Sequence, residues 1–147
     1  MSNSADIKPL VRLLTFLPSN DVTLMVLKGH LLIEEQLVSI LKSRVSYSKA
    51  LEEARLSFFQ RLCLAKALGY RKENEWVWHS IKKLNSVRND LAHKVEPAKL
   101  NIKLREFLEL VEDSGLRRQQ GNLQSRLKAC FLFLCGTLQG IGEKKNG

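Results

Sequence analysis

Apolar residues recur every three or four positions along most of this chain, and no stretch shows the strict alternation typical of a half-buried strand. Only three prolines and eight glycines interrupt the 147 residues. Both features predict an all-α fold, a helical bundle of five to six helices. The length is that of one compact domain. We therefore expect a single domain over residues 1–147, with its core at 20–112 and a basic loop and C-terminal helix at 113–147.

The periodicity also predicts where the helices lie and which faces they bury. The predicted helices cover 6–17, 22–44, 49–68 and 74–93, followed by one that starts at Pro97 and one that follows Gly121. On the second helix the pattern predicts a core stripe and an adjoining apolar row: Leu24, Leu27, Leu31, Val38 and Leu41, then Val26, Ile33, Leu37 and Ile40. On the third it predicts inward positions at Leu51, Leu56, Phe59, Leu62, Cys63 and Ala67. Gly69 is expected to close that helix in the left-handed conformation, and residues 140–147 are expected to be frayed.

The charge balance indicates a class of partner. Lys and Arg number 24 against 15 Asp and Glu, a net charge of +9. This surplus favours a polyanion, with RNA or DNA ahead of an anionic membrane, although a basic surface without a partner fits it equally well.

The cysteines and the apolar runs bear on location and metal binding. The three cysteines form no CxxC pair and no zinc spacing, which predicts buried thiols in a reducing cytoplasm. No apolar run reaches the ~18 residues of a membrane span, and the N-terminus lacks the pattern of a signal peptide. We expect a cytoplasmic protein without membrane association, metal or cofactor.

Two charged residues stand at positions that the helical period assigns to the core. Steps of three and four along the fourth helix reach Arg88, and those along the second helix reach Glu34, one turn after His30. One interpretation is a buried Arg88–Glu34 ion pair that fixes the register of the bundle. The other is a polar site between helices, in which His30 either shares proton transfer or is a satisfied core group.

The segment Arg88-Asn-Asp-Leu-Ala-His93 brings three kinds of polar group to one helix end. Cleavage of RNA without metal needs a base for the 2′-hydroxyl, an acid for the leaving 5′-oxygen and positive charge at the phosphorane. Histidine suits the first two roles and arginine the third. Asn89 could orient the imidazole or hold a phosphate oxygen, whereas the Asp90 carboxylate would repel phosphate. Because one site has only one such histidine, the chemistry predicts a two-fold homodimer.

This segment resembles the R-x4-6-H motif of the HEPN superfamily in its R-N-x-x-A-H form. The upstream sequences Phe59-Gln-Arg-Leu-Cys-Leu-Ala-Lys-Ala-Leu-Gly69 and Gly29-His-Leu-Leu-Ile-Glu34 are similar to earlier helices of that family, including its mannitol-repressor branch. The resemblance implies an all-α HEPN-type homodimer in which Arg88 and His93 are the catalytic pair and Asn89 a polar helper. Glu34 and Asp90 would be supporting residues. Val95 stands where one branch has a tyrosine that is adenylylated, so we do not expect that control.

The resemblance implies a metal-independent endoribonuclease of a toxin–antitoxin or phage-defence system, with an antitoxin or regulatory protein as a further partner. The alternatives are a non-catalytic regulator that binds a protein or nucleic acid and a purely structural bundle.

Near the motif, Lys82, Lys83 and Lys94 either hold an RNA backbone or form a solvated face. A second basic group has the same two interpretations: Arg117, Arg118, Arg126 and Lys128. Of Trp76 and Trp78, one is expected in the core and the other at an interface.

Overall fold

The computed structural model describes residues 15, 17, 20–93, 96–116 and 120–143. Its α-helices are α1 (Val22–Arg44), α2 (Ser48–Glu53), α3 (Phe58–Gly69), α4 (Glu75–Ala92), α5 (Pro97–Glu112) and α6 (Leu123–Glu143), with a 3₁₀ turn at Lys72–Asn74 before α4. These residues contain no strand, so the predicted all-α fold is confirmed. The helix predicted at 6–17 lies almost wholly outside the described residues.

The bounds of α1, α4 and α5 agree with the signals that the sequence carries. The Asp21 carboxylate accepts a hydrogen bond from the Leu24 N–H at 3.1 Å and caps α1. Pro97 occupies the first turn of α5, where its missing N–H costs nothing. His93 is the C-cap of α4, as the predicted end at residue 93 requires.

The single third helix predicted over 49–68 is wrong, because the chain breaks between α2 and α3. Arg55 has a φ of 49°, a left-handed conformation that ends α2. Ser57 and Gln60 then form a capping box that starts α3. The new start changes the inward face: Leu62 and Ala65 are buried, whereas three residues predicted to point inward are exposed, namely Phe59, Cys63 and Ala67.

Helix α1 lies at the centre of the bundle and packs against α3, α4 and α6, while α4 and α5 form an antiparallel pair. Gly29 allows the close approach of α1 to α6, because a Cβ built there would overlap the Phe131 ring. Gly69 serves the same purpose at the end of α3, where a Cβ would lie 2.7 Å from Ile141. The predicted left-handed closure at Gly69 is wrong, since its φ is not positive.

The core face of α1 is the adjoining row of the prediction, joined by Leu41 as the buried member of the main stripe. Val26, Ile33, Leu37 and Ile40 are at most 2% exposed. Leu24, Leu27 and Leu31 are 37%, 38% and 46% exposed, so their predicted core position is wrong. Helix α1 is apolar around much of its circumference, and its three packing partners cover only part of it.

Helix α6 closes the core and extends further than predicted. Apolar side chains at three- and four-residue steps along it are buried: Leu127, Cys130, Phe131, Leu134 and Leu138. The expected fraying from residue 140 is wrong as far as Glu143, because the helix continues to that residue and Ile141 is only 8% exposed. Residues 144–147 lie outside the described part of the chain.

A buried ion pair joins α5 to α6. Arg126 donates from Nη2 and Nε to the two carboxylate oxygens of Glu112, at 2.6 and 3.2 Å. The Glu112 side chain is 2% exposed. The Arg126 guanidinium is therefore held by an acidic partner, and its place in a second basic group stays a prediction. The other arginines of that group, Arg117 and Arg118, lie outside the described residues.

The cysteines divide between core and surface. Cys130 and Cys135 are buried as predicted, and burial raises the pKa of each thiol to about 12. Cys63 is exposed, so its predicted burial is wrong. None of the helices in the described ranges is long and apolar enough to cross a membrane.

Candidate functional site

An open groove lies between α1, the start of α3 and the C-terminal half of α4. Its volume is about 570 Å³. The groove is lined by both apolar and polar side chains: Leu27, His30, Leu31, Glu34, Ser57, Phe58, Phe59, Asn85, Arg88 and Asn89. Four residues singled out from the sequence, His30, Glu34, Arg88 and Asn89, thus share one cavity.

Arg88 lies at the edge of this groove and not in the core. Val77, Ile81 and Leu84 are buried as the helical period predicts, but Val87 takes the next inward position at 1% exposure. Arg88 is consequently exposed, and within the described residues its guanidinium has no hydrogen bond or ion pair. The predicted core position of Arg88 is wrong, because 3.6 residues per turn allow either residue 87 or 88 at that step.

The interpretation of a buried Arg88–Glu34 ion pair is also wrong. Glu34 Oε1 lies 3.3 Å from Nη1 of Arg61 on α3, and both side chains are 29% exposed. Arg61 was not singled out from the sequence, since its position opposite Glu34 depends on how α3 packs on α1. The pairing leaves the Arg88 guanidinium available to an anion in the groove.

His30 is the buried polar residue of the groove, with an exposure of 8%. Its Nε2 is 3.0 Å from Oδ1 of Asn85, and its ring stacks on Phe58 with centroids 4.1 Å apart. Because an amide oxygen only accepts, this hydrogen bond puts the proton on Nε2 and leaves the lone pair on Nδ1.

The surroundings of His30 favour its neutral form. Desolvation by burial is the main cause that lowers its pKa from the ordinary value, and the positive charge of Arg88 adds to it. The Asn85 hydrogen bond and the Glu34 carboxylate act in the opposite direction but are outweighed. Burial therefore favours the neutral imidazole over the charged form.

The two remaining motif residues lie away from the groove lining. His93 is exposed at the C-cap of α4, where its backbone N–H donates to the Asn89 carbonyl at 3.0 Å. Asp90 is turned toward α5 and pairs with Lys103 at 2.7 Å. Asp90 thus ties α4 to α5, and His93 stands one turn beyond Asn89 at the open end of the helix.

The lysines predicted near the motif differ in whether an acidic side chain already holds them. Lys82 is exposed, with its Nζ 6.0 Å from the centre of the Phe59 ring. Lys83 is held by Glu106 of α5 at 2.6 Å. Lys94 lies outside the described residues. Lys82 is accordingly the better candidate for contact with a polyanion.

The prediction that one tryptophan lies in the core is confirmed for Trp78, whereas an interface role for Trp76 stays a prediction. Trp78 is buried and its Nε1 donates to Asn74 Oδ1 at 3.2 Å. Trp76 is half-buried and stacks on Phe133 of α6 with centroids 5.4 Å apart. Both belong to the packing of α4 and lie outside the groove.

Asn85 and Phe58 are site residues that the sequence reasoning missed. The signal for Asn85 was present, since it lies four residues before Asn89 and shares its helix face. Phe58 had no comparable signal, because its contact with His30 depends on the break before α3. The described residues contain no cluster of three or more side chains suited to a metal ion.

Neither a protein-family model, nor a curated protein, nor a solved structure matches this chain. Its function is therefore argued from the groove and from the motif at the end of α4.

Proposed function

We propose that this chain is a metal-independent endoribonuclease that cuts RNA by attack of the 2′-hydroxyl on the adjacent phosphate. One observation carries the proposal: the exposed Arg88 and Asn89 share an open groove with the buried imidazole of His30. A free guanidinium is suited to two phosphate oxygens, and a neutral imidazole can accept a proton. The resemblance of residues 88–93 to the HEPN motif supports the same chemistry.

In the proposed reaction Arg88 neutralises the charge that develops on the pentavalent phosphorane, and Asn89 holds a phosphate oxygen. His93 protonates the leaving 5′-oxygen. The exposed position of His93, one turn from Asn89, suits contact with the strand that leaves the groove. The products are a 2′,3′-cyclic phosphate and a 5′-hydroxyl end.

Three exposed apolar side chains of the groove support a homodimer. Leu27, Leu31 and Phe59 line it and are 38%, 46% and 50% exposed, an unusual concentration of large apolar side chains on a surface. A two-fold contact over this edge would bury them and bring two copies of the motif together. Leu31→Glu is expected to shift the protein from dimer to monomer in analytical ultracentrifugation, with its helical content unchanged.

The net charge and the free Lys82 support RNA as the partner, since both attract a polyanion. A nuclease that cuts the RNA of its own cell must be restrained. We therefore propose a role in a toxin–antitoxin or phage-defence system of the cytoplasm, with an antitoxin or regulatory protein as partner.

RNA cleavage in the presence of a chelator tests the proposal. Wild type is expected to cut RNA, and Arg88→Ala and His93→Ala are each expected to reduce the rate at least about 100-fold. Arg105→Ala, at an exposed position of α5, is the matched control and should cut like wild type. Both motif variants should retain the wild-type melting temperature, because both side chains are exposed.

The alternative is a non-catalytic regulator that binds a protein or nucleic acid through the same groove. RNA that wild type leaves intact over a wide range of protein concentrations, but binds in an Arg88-dependent manner, would refute the nuclease and favour the regulator.

A further inference from the structure

His30 is buried among polar and charged groups, although an apolar side chain would fill the same space in the bundle. It is the least exposed polar residue of the groove, yet two charged side chains affect its pKa: Glu34 raises it and Arg88 lowers it. The Phe58 ring fixes the plane of the imidazole and the Asn85 amide fixes its rotation. Nδ1 has no hydrogen-bond partner among the described residues, so the one nitrogen that can accept a proton is unused.

The surroundings of His30 keep this nitrogen unprotonated, because burial and Arg88 outweigh the Glu34 carboxylate in setting its pKa. Glu34 on the same helix is paired with Arg61 of α3, which limits its effect on the imidazole. Arg88 of α4 opposes protonation, as does burial. A group that is neutral at pH 7 and has a free lone pair meets the requirement for a general base.

We propose that His30 is the general base of the cleavage reaction, which makes this inference dependent on the proposed function. The 2′-hydroxyl gives its proton to Nδ1 of His30, and the 2′-oxygen forms a bond to phosphorus. The bond from phosphorus to the 5′-oxygen breaks, and that oxygen takes a proton from the His93 imidazolium. His30 then loses its proton to water and His93 regains one, so atoms and charge balance.

This assignment places the base and the phosphate ligand in one protomer. The proton acceptor comes from α1, Arg88 and Asn89 come from α4, and Asn85 orients the base. A second copy of the chain is then not needed to supply the base. In the proposed dimer it would cover the exposed side chains of Leu27, Leu31 and Phe59. The motif at residues 88–93 is therefore only part of the catalytic machinery.

The variant His30→Gln tests the assignment, because the glutamine amide can still donate to Asn85 but cannot accept a proton. We expect kcat to fall about 100- to 10,000-fold, while KM and the affinity for a 2′-deoxy oligonucleotide stay within about twofold of wild type. His79→Gln, at the exposed histidine of α4, is the matched control and should leave kcat unchanged. Circular dichroism and the melting temperature establish that each variant is folded.

The pH profile of kcat/KM separates a base from a structural residue. In wild type the rate should rise with pH through the pKa of His30, below the ordinary histidine value. This limb should vanish in the residual activity of His30→Gln but persist in His79→Gln. A structural role would lower the rate equally at every pH.

The outcomes distinguish the two proposals. A His30→Gln enzyme that cuts at the wild-type rate while His93→Ala is inactive overturns the role of His30 and leaves the nuclease standing. Loss of kcat without a change in the shape of the pH profile also overturns the base. Wild-type protein that cuts no RNA overturns the nuclease and the base together.

Discussion

The variant Gly29→Ala tests the close packing that sets α1, and with it His30, against the rest of the bundle. Alanine is favoured over glycine in a helix interior by about 1 kcal/mol. The new Cβ, however, would overlap the distal carbons of the Phe131 ring, which is fully buried and packed on Phe107. Overpacking of a tight core costs about 1–3 kcal/mol.

The overlap involves the Cζ, Cε1 and Cε2 atoms of Phe131, so we take the upper end of that range and expect a net loss of about 2 kcal/mol. For a domain of this size the melting temperature should fall by about 4–8 °C. Urea unfolding followed by circular dichroism measures the free energy of unfolding directly.

The variant Phe131→Leu provides the control, because it removes the three atoms that the Cβ would meet. Gly29→Ala should no longer be destabilising in the Phe131→Leu background, with a coupling free energy of about 3 kcal/mol in the double-mutant cycle, the overpacking that Phe131→Leu removes. A Gly29→Ala protein that is more stable than wild type, as helix propensity alone predicts, would refute the close contact.

Three further predictions concern charge and protonation. Burial lowers the pKa of His30 in the folded state, so the unfolded chain binds the proton more readily and the free energy of unfolding should decrease as pH falls below about 6.5. Urea unfolding at pH 7 and pH 5 should show a smaller decrease for His30→Gln, and equal decreases would contradict the assignment. Arg126→Met should cost about 1–3 kcal/mol, because the buried Glu112 carboxylate loses its two hydrogen bonds from the guanidinium. In thermal melts, the double variant Arg126→Met/Glu112→Leu should recover most of that loss of stability. Losses from the two substitutions that simply add would contradict a direct pair between these residues. Lys82→Gln should weaken binding of a 2′-deoxy oligonucleotide and reduce the slope of log affinity against log salt by about one. Lys83→Gln should do so less, because Lys83 is held in an ion pair with α5, and the reverse order would contradict the structure.

The helices near the site could be predicted from the sequence because their signals are local. Asp21 marks the start of α1, and Pro97 marks the start of α5. The break before α3 also had a local signal, the Ser57–Gln60 capping box, which the apolar pattern across it concealed.

The rotation of each helix could not be predicted, because it depends on the neighbours. Apolar rows run along two sides of α1, and only its contacts with other helices decide that Val26 is buried and Leu27 exposed. On α4 the sequence likewise leaves open whether Val87 or Arg88 faces the core, and only the packing of the helix decides it. The partner of Glu34 is likewise a residue of another helix, Arg61, whose position is set by tertiary packing.

The claim that the Arg88 groove cleaves RNA through the 2′-hydroxyl is tested most directly by a single 2′-deoxy substitution at a mapped cleavage site. With a chelator present, the unmodified RNA should yield a 2′,3′-cyclic phosphate and a 5′-hydroxyl end, and the substituted RNA should stay intact at that nucleotide. Continued cleavage at the deoxy position with a 5′-phosphate product would contradict the account.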